Sequence, residues 1–520
     1  MLGKSIGLIF ALVGTQRDAP AMDVRRETSA AWHTVVITEM SLAGSAESSE
    51  LRREDSVMVI LETKEWAETT FGPCELGDER RNRRLVRVAQ DVVARPDGST
   101  PEQTESWGDC KAAYRLFNEE DVTFDRIIAP HCRQVREGCE QGSVKLIIND
   151  TTEIDYGRNR KATGLGRTGN GSGRGFFLHT AMMVDAADGR VDGLAGQILF
   201  YRKPKVNRGA KNTQRRSGDR ESVVWGNLVD QVGPAPAGVK WVHVDDRGAD
   251  DFEVFRRIQA VENSCVIRAA RLNRRVKTVD GQSLPLKELL NTLPGMGVRE
   301  LTVKAKKELP KRTATVELRF SEIRMPTPRV LTPWLKKHRS NEDLTLWVVE
   351  LREVNAPKGI KGLHWVLYTF EPVTTVDVAN TVISWYEIRP TIEDYHKAFK
   401  TGCSVQERYY ATSDRLERVT ALLSIVAVRL MQVKTAALET PDRPAREVAP
   451  VQWVRLVQTA RRKPVNENMT IYQFIRALAG LGGHLGRKSD GEPGWITVWR
   501  GFEKLMLIVK GENLAGKKCG

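Results

Sequence analysis

The sequence predicts a mixed α/β protein with helical modules at both ends. Three observations carry this. Between Val144 and Ala269, short apolar runs alternate with segments of helical spacing. Between 273 and 375 the runs alternate in period two. On either side, 64–125 and 451–520 read as helical. A chain of 520 residues predicts several domains or one large fold with insertions, and 41% hydrophobic residues suffice for a core. The formal charge of +14 and pI ≈ 9.4 favour a polyanionic partner, nucleic acid ahead of a membrane surface. No apolar run approaches roughly 18 residues, so no membrane-spanning helix is expected. The seven cysteines are odd in number and lack C-x2-C spacing, which fits a reducing cytoplasm. His131, Cys132 and Cys139 have no second ligand pair and read as ordinary residues.

In chain order, residues 1–57 read as a poorly ordered extension, with Met58 as an alternative start. The lysine, the apolar run Ile6 to Val13 and Ala19-Pro20-Ala21 only weakly resemble a signal peptide. Leu85, Val88, Ala89 and Val92 then form an apolar stripe at i, i+3, i+4, i+7, with Arg80, Arg84 and Arg87 opposite. Such a basic face is either solvated or in contact with a DNA backbone. Val144 to Ile148 is a strand ending at Asn149-Asp150. Phe176 to Val184 and Val191 to Tyr201 are strands joined by an Asp188-Gly189 turn. A helix over Glu221 to Val232, a strand over Val239 to Val244, a helix carrying Phe252, Phe255 and Ile258, and a strand over Cys265 to Ala269 complete the series. That order is the order of an RNase H-like fold. It places Asp150 and Asp246 at the C-terminal ends of strands, the edge where open α/β sheets bind ligands. Gly164-Leu165-Gly166-Arg167-Thr168-Gly169 matches G-x-G-x-x-G but leads into a strand, so a dinucleotide site is rejected. The basic loop Arg202 to Arg220 is a surface loop or a DNA contact.

Strands are expected over Leu301 to Lys306, Thr313 to Phe320, Leu344 to Arg352 and Leu363 to Phe370. The stretch Trp385 to Lys400 reads as one helix with Pro390 in its first turn. Ile392, Tyr395 and Phe399 mark its apolar face. Arg389, Glu393, Lys397 and Lys400 mark a second face, one acid among three bases. By spacing alone that face is either solvated with i,i+4 ion pairs or a place for metal and phosphate. Ala421 to Met431 reads as a buried helix and Pro441 to Pro450 as a linker.

Tyr386-x2-Arg389-x3-Glu393-x6-Lys400, with the run Glu393 to Gly402, resembles the Y-R-E-K signature of bacterial cut-and-paste transposases of the insertion-sequence-four family. Trp66 to Gln90 and Ala113-Tyr114-Arg115-Leu116-Phe117 are similar to that family's end-recognition domain. Leu363 to Thr369 matches the region in which a tryptophan stacks on an extruded base. The resemblance covers about Trp66 to Lys510. It departs at Gly248, where glutamate is frequent, and at Pro390, where an aromatic is common.

The resemblance implies that Asp150, Asp246 and Glu393 are a D-D-E triad holding two Mg²⁺ ions, with Mn²⁺ as a substitute. Such ions, roughly 3.5–4 Å apart, serve an in-line displacement at phosphorus. It implies DNA contacts by Tyr386, Arg389, Lys397, Lys400, Trp365 and Arg268, and contacts with transposon ends by Arg80, Arg81, Arg84 and Arg115. The expected partners are inverted-repeat ends, target DNA and a second copy in a paired-end complex, in the cytoplasm at the nucleoid. The expected division is an extension (1–57), a helical DNA-binding domain (58–125), an RNase H-like catalytic core in two parts (126–272 and 376–440), a β-rich insertion (273–375) and a helical dimerisation domain (441–520). Two rivals are a nuclease of the same fold without strand transfer and a catalytically silent DNA-binding descendant.

Overall fold

The computed structural model describes residues 63–169, 171–202, 220–303, 312–439, 441–447, 449–487, 490, 493 and 495–516. The expected extension 1–57 and most of the basic loop Arg202 to Arg220 lie outside them. The described part opens with helices α1 (Thr63–Phe71), α2 (Glu79–Ala94), α3 (Thr100–Gln103), α4 (Trp107–Leu116) and α5 (Phe124–Glu137). Asp78, Ser106 and Thr123 begin α2, α4 and α5 by accepting a first-turn N–H on the side chain. The apolar stripe Leu85, Val88, Ala89 and Val92 is buried as its spacing predicts.

Twelve described strands form one mixed sheet. They are β1 (Val144–Asp155), β2 (Gly166–Thr168), β3 (Gly173–Asp185), β4 (Val191–Phe200), β5 (Lys240–Asp245), β6 (Ser264–Arg268), β7 (Arg275–Lys277), β8 (Ser283–Pro285), β9 (Gly297–Val303), β10 (Arg312–Met325), β11 (Leu344–Glu353) and β12 (His364–Thr369). The order is β2-β3-β1-β5-β6-β12-β11-β10-β7-β8, with β4 on β3 and β9 on β10. Strands β1, β5 and β6 run parallel, and β3 and β4 add antiparallel neighbours through a hairpin. Gly189 turns that hairpin at φ 77°, a conformation that favours glycine. The β-rich stretch is an insertion in sequence but not a separate body. Strand β12 pairs antiparallel with β6, so its strands continue the same sheet.

Both faces of the central strands are covered, which explains their continuous apolar runs. Leu146, Ile148, Val242, Val244 and Val266 join one core cluster; Cys265 and Ile267 join a second, and Ile147 and Trp241 a third. Helices α6 (Val223–Val232) and α7 (Phe252–Ala260) supply Val224, Trp225, Phe252, Phe255 and Ile258 to the second. Two short helices, α8 (Leu286–Thr292) and α9 (Pro333–Lys337), follow within the β-rich part.

Two expectations are corrected. Strand β1 does not stop at Asn149 but runs to Asp155, because past Asn149 it still pairs with β3 although its pairing with β5 has ended. The stretch Trp385 to Lys400 is not one helix. It is the end of α10 (Val376–Ile388), a break at Arg389-Pro390, α11 (Thr391–Lys397) and a wide π-turn over Ala398–Gly402. Proline has no N–H for the carbonyl four residues back, and Tyr386 O instead accepts Arg389 N at 3.2 Å. The chain ends in α12 (Ser413–Glu439), α13 (Val451–Ala460), α14 (Ile471–Leu481) and α15 (Trp495–Gly516).

Candidate active site

The last parallel pair between β1 and β5 is Asn149 with Asp245. Asp150 and Asp246 are therefore the next residues on two neighbouring segments. Asp246 accepts Gly248 N at 2.6 Å and so fixes the 3₁₀ turn Arg247–Ala249. Asp250 then ties that turn to the segment beyond β6, accepting Ala270 N at 2.8 Å and the Arg274 guanidinium. Helix α11 packs against β1 and carries Glu393 in its first turn. Burial of Ile392, Tyr395 and Phe399 sets its rotation.

Arg389, at the break between α10 and α11, stands among the three acids with only 12% of its side chain exposed. Its Nη2 lies 3.1 Å from Asp150 Oδ2 and 3.9 Å from Asp246 Oδ2, and its Nη1 donates to Glu393 Oε1 at 3.0 Å. The i,i+4 pair anticipated for this face is present, and the same guanidinium reaches an acid 239 residues away.

Burial pushes the Asp150 carboxyl up to about 6; Arg389 opposes the rise, while Asp246 and Glu393 add to it. Burial also raises Asp245, to about 8, against the hydrogen bond from Asn149. Burial lowers His179 and His396 to about 3, so both imidazoles are neutral near pH 7. Lys400 is half-buried and lowered by burial, with Glu153, Asp150 and Asp155 acting to keep its charge.

Tyr386 is buried in the last turn of α10, and its phenol is raised by burial, against Arg268 and Arg389 beside it. Trp365 on β12 is half-buried and meets the Tyr386 ring edge-on at 5.0 Å. Arg268 donates to His364 O at 3.1 Å. Arg268, Trp365 and Tyr386 thus form one patch, linked through Arg389 to the acids. Lys397 is exposed.

The N-terminal arginines are held differently. Arg80 pairs with Asp78 at 2.8 Å, Arg81 bridges Glu119 and Asp121 at 2.7 Å each, and Arg84 pairs with Asp109 at 3.1 Å. Arg115 is exposed on α4, where Lys111 lies over the Trp107 ring at 5.2 Å and Trp107 itself is 68% exposed.

Sequence reasoning missed the polar layer beneath the acids. Asn149 donates to Asp245 Oδ1 at 2.7 Å, and His243 lies between Asn149 at 3.2 Å and Asn263 at 3.3 Å. These buried groups join the residues that immediately precede Asp150 and Asp246. The available signal was a polar residue inside each of two apolar strand runs, directly before an acid. Thr151 and His179, 2.8 Å apart, add a second such link across β1 and β3.

Among the described residues, no three His, Cys, Asp or Glu side chains stand together as a ligand set. The donor chemistry nevertheless suits a hard divalent cation. Three carboxylates, all oxygen donors, already converge on one positive charge, that of Arg389.

No helix among the described residues is long and apolar enough to cross a membrane. Residues 63–122 match the family model described as transposase DNA-binding, and residues 425–519 match the one described as the transposase Tn5 dimerisation domain. The two matches bracket the acids. They make the chain similar to a transposase DNA-binding domain near one end and to the Tn5 transposase dimerisation domain near the other, and support a DNA transposase whose partners are DNA and a second copy of itself.

Proposed function

We propose that the chain is a hairpin-forming cut-and-paste DNA transposase of the insertion-sequence-four type. Its RNase H-like core would use Asp150, Asp246 and Glu393 as a D-D-E triad. One observation carries the reading: three acids distant in sequence converge on one guanidinium, between segments similar to a transposase DNA-binding domain and a transposase dimerisation domain. The strand order β4-β3-β1-β5-β6, antiparallel then parallel, supports the fold.

The three carboxylates would hold divalent ions, two per site, which when bound activate the attacking oxygen and stabilise the leaving one. The chain's own residues supply the rest. Arg389 can grip a phosphate through two parallel N–H donors. Lys400 adds a cation in a partly desolvated place, and Tyr386 a phenolic donor. Trp365 offers a ring to a base turned out of the stack. The reaction sequence is a nick by water, attack of the freed 3′-OH on the opposite strand to close a hairpin, opening by water, and attack of the 3′-OH on target DNA. Each step exchanges one P–O bond for another.

The test uses Asp150→Asn, Asp246→Asn and Glu393→Gln on labelled end DNA. Each should abolish nicking in Mg²⁺ or Mn²⁺ while end binding survives. A triple variant that still nicks removes the triad. Nicking by the wild type without strand transfer would instead support a nuclease of the same fold.

A further inference from the structure

We infer that Arg389 is the internal counter-ion of the acid site, and that a divalent cation loads only when this guanidinium leaves the carboxylates, a move that a DNA phosphate favours. The inference rests on the proposed metal role of Asp150, Asp246 and Glu393. It adds that metal loading and DNA binding are coupled through one side chain.

Four observations carry it. The guanidinium contacts all three acids, at 3.1, 3.9 and 3.0 Å, and so stands where a shared cation would stand. Its side chain is only 12% exposed, so a small ion cannot reach that position beside it without bringing two like charges together. Its Nε is buried and has no hydrogen-bond partner, so one donor is unused in this arrangement. It also lies at the joint between α10 and α11, beside Pro390, where the helical ladder is already interrupted.

A phosphate oxygen pair can accept two of the guanidinium's donors at once, which would engage Nε together with one Nη. The move exchanges three carboxylates for a phosphate as the partner of Arg389 and frees the carboxylates of a competing positive charge. Without DNA, the apparent metal affinity is reduced by the fraction of molecules in which Arg389 has left the acids.

The test is Mn²⁺ titration of the full chain without DNA, with free Mn²⁺ followed by electron paramagnetic resonance. Five proteins are compared: wild type, Asp150→Asn, Arg389→Gln, Arg389→Lys and Arg389→Gln/Asp150→Asn. Arg389→Gln should bind Mn²⁺ about tenfold tighter than wild type, the gain expected if Arg389 stays on the acids about nine-tenths of the time. Asp150→Asn in that background should remove the gain. Arg389→Lys, which keeps a charge, should stay weak. In melting curves, Mn²⁺ should raise the Tm of Arg389→Gln more than that of wild type. Equal, Asp150-dependent affinities in wild type and Arg389→Gln would overturn the counter-ion role and leave the acid site standing. Binding that ignores Asp150 in every protein would overturn both. If Arg389→Gln does not fold, the neutral Arg389→Met decides: an Asp150-dependent gain over wild type supports displacement, and an unchanged affinity overturns it. An affinity well above wild type in Arg389→Lys would show that positive charge is no obstacle.

Discussion

Trp365 and Asp91 show how one side chain can be tested apart from its fold. The Trp365 ring is half-buried against the edge of Tyr386, so part of it is free for a base. Stacking one base on an aromatic ring gains about 1–3 kcal/mol, roughly tenfold to hundredfold on a step that needs the flipped base. Trp365→Ala should spare the first nick and slow hairpin formation or opening by that factor, with Trp365→Phe between. Time courses of nicked, hairpin and blunt products check it; equal slowing of all steps would make Trp365 a packing residue for Tyr386. Asp91 is buried on α2, and burial raises its carboxyl to about 6, opposed by Arg87 at 3.5 Å. An unfolded aspartate titrates near about 3.9. The folded state therefore holds the extra proton between about pH 4 and 6 and loses stability as pH rises through that window. Asp91→Asn should melt above wild type at pH 8, with the gap closing toward about pH 4. A gap that does not vary with pH would show that Arg87 already compensates the charge.

At the scale of elements, the joint at Arg389-Pro390 matters most. A proline inside a helix costs about 3 kcal/mol against alanine, but Pro390 stands at the start of α11, where the cost is smaller. Pro390→Ala should raise Tm, because an N–H becomes available to Tyr386 O, and should lower nicking, because a straightened joint carries Arg389 and Glu393 away from Asp150. Melting and cleavage measured on the same preparation check both; a Tm gain with full cleavage would show that the bend does not align the acids. The apolar face Ile392, Tyr395 and Phe399 was legible because burial follows helical spacing. The joint was not, since proline suits the start of a helix as well as a break, and α10 runs directly into it. The length of β1 was hidden for a related reason. Past Asn149 it keeps one neighbour and its burial alternates, so the continuous apolar signal stops while the strand goes on. Strands β7 and β8 and helices α8 and α9 span three to seven residues, too few to show a period. The meeting of Asp150 with Arg389 has no local trace at all; the motif resemblance grouped Asp150 with Glu393 but gave Arg389 only a DNA contact.

At the scale of the molecule, the two end modules are built onto the core rather than tethered to it. Arg408 is buried and donates to Cys403 O at 2.8 Å and to the carbonyls of Pro96 and Gly98. Tyr410 and Thr100 share a hydrogen bond of 2.8 Å, and Arg418 donates to Phe117 O at 2.8 Å. From the other end, Val498, Trp499, Phe502 and Leu505 join the same core cluster as Leu85 and Leu422. Removing Arg408 would leave two buried carbonyls and the half-buried one of Gly98 short of a donor, at about 1–3 kcal/mol for each buried group left unsatisfied. Arg408→Met should lower stability by about 3 kcal/mol or more and open the segment Arg95 to Gly98 to proteases. Chemical denaturation and limited proteolysis check this; cleavage elsewhere, with that segment intact, would show that Tyr410 and Arg418 suffice to dock the module. The same contacts set an order of assembly during synthesis. The carbonyls of Pro96 and Gly98 wait 312 and 310 residues for their donor. At about 5–20 residues per second on the ribosome, that is roughly 15–60 s in which the N-terminal helices are complete but these two carbonyls lack their donor. A nascent chain thus carries its DNA-binding helices for most of its synthesis before the helix they rest on exists.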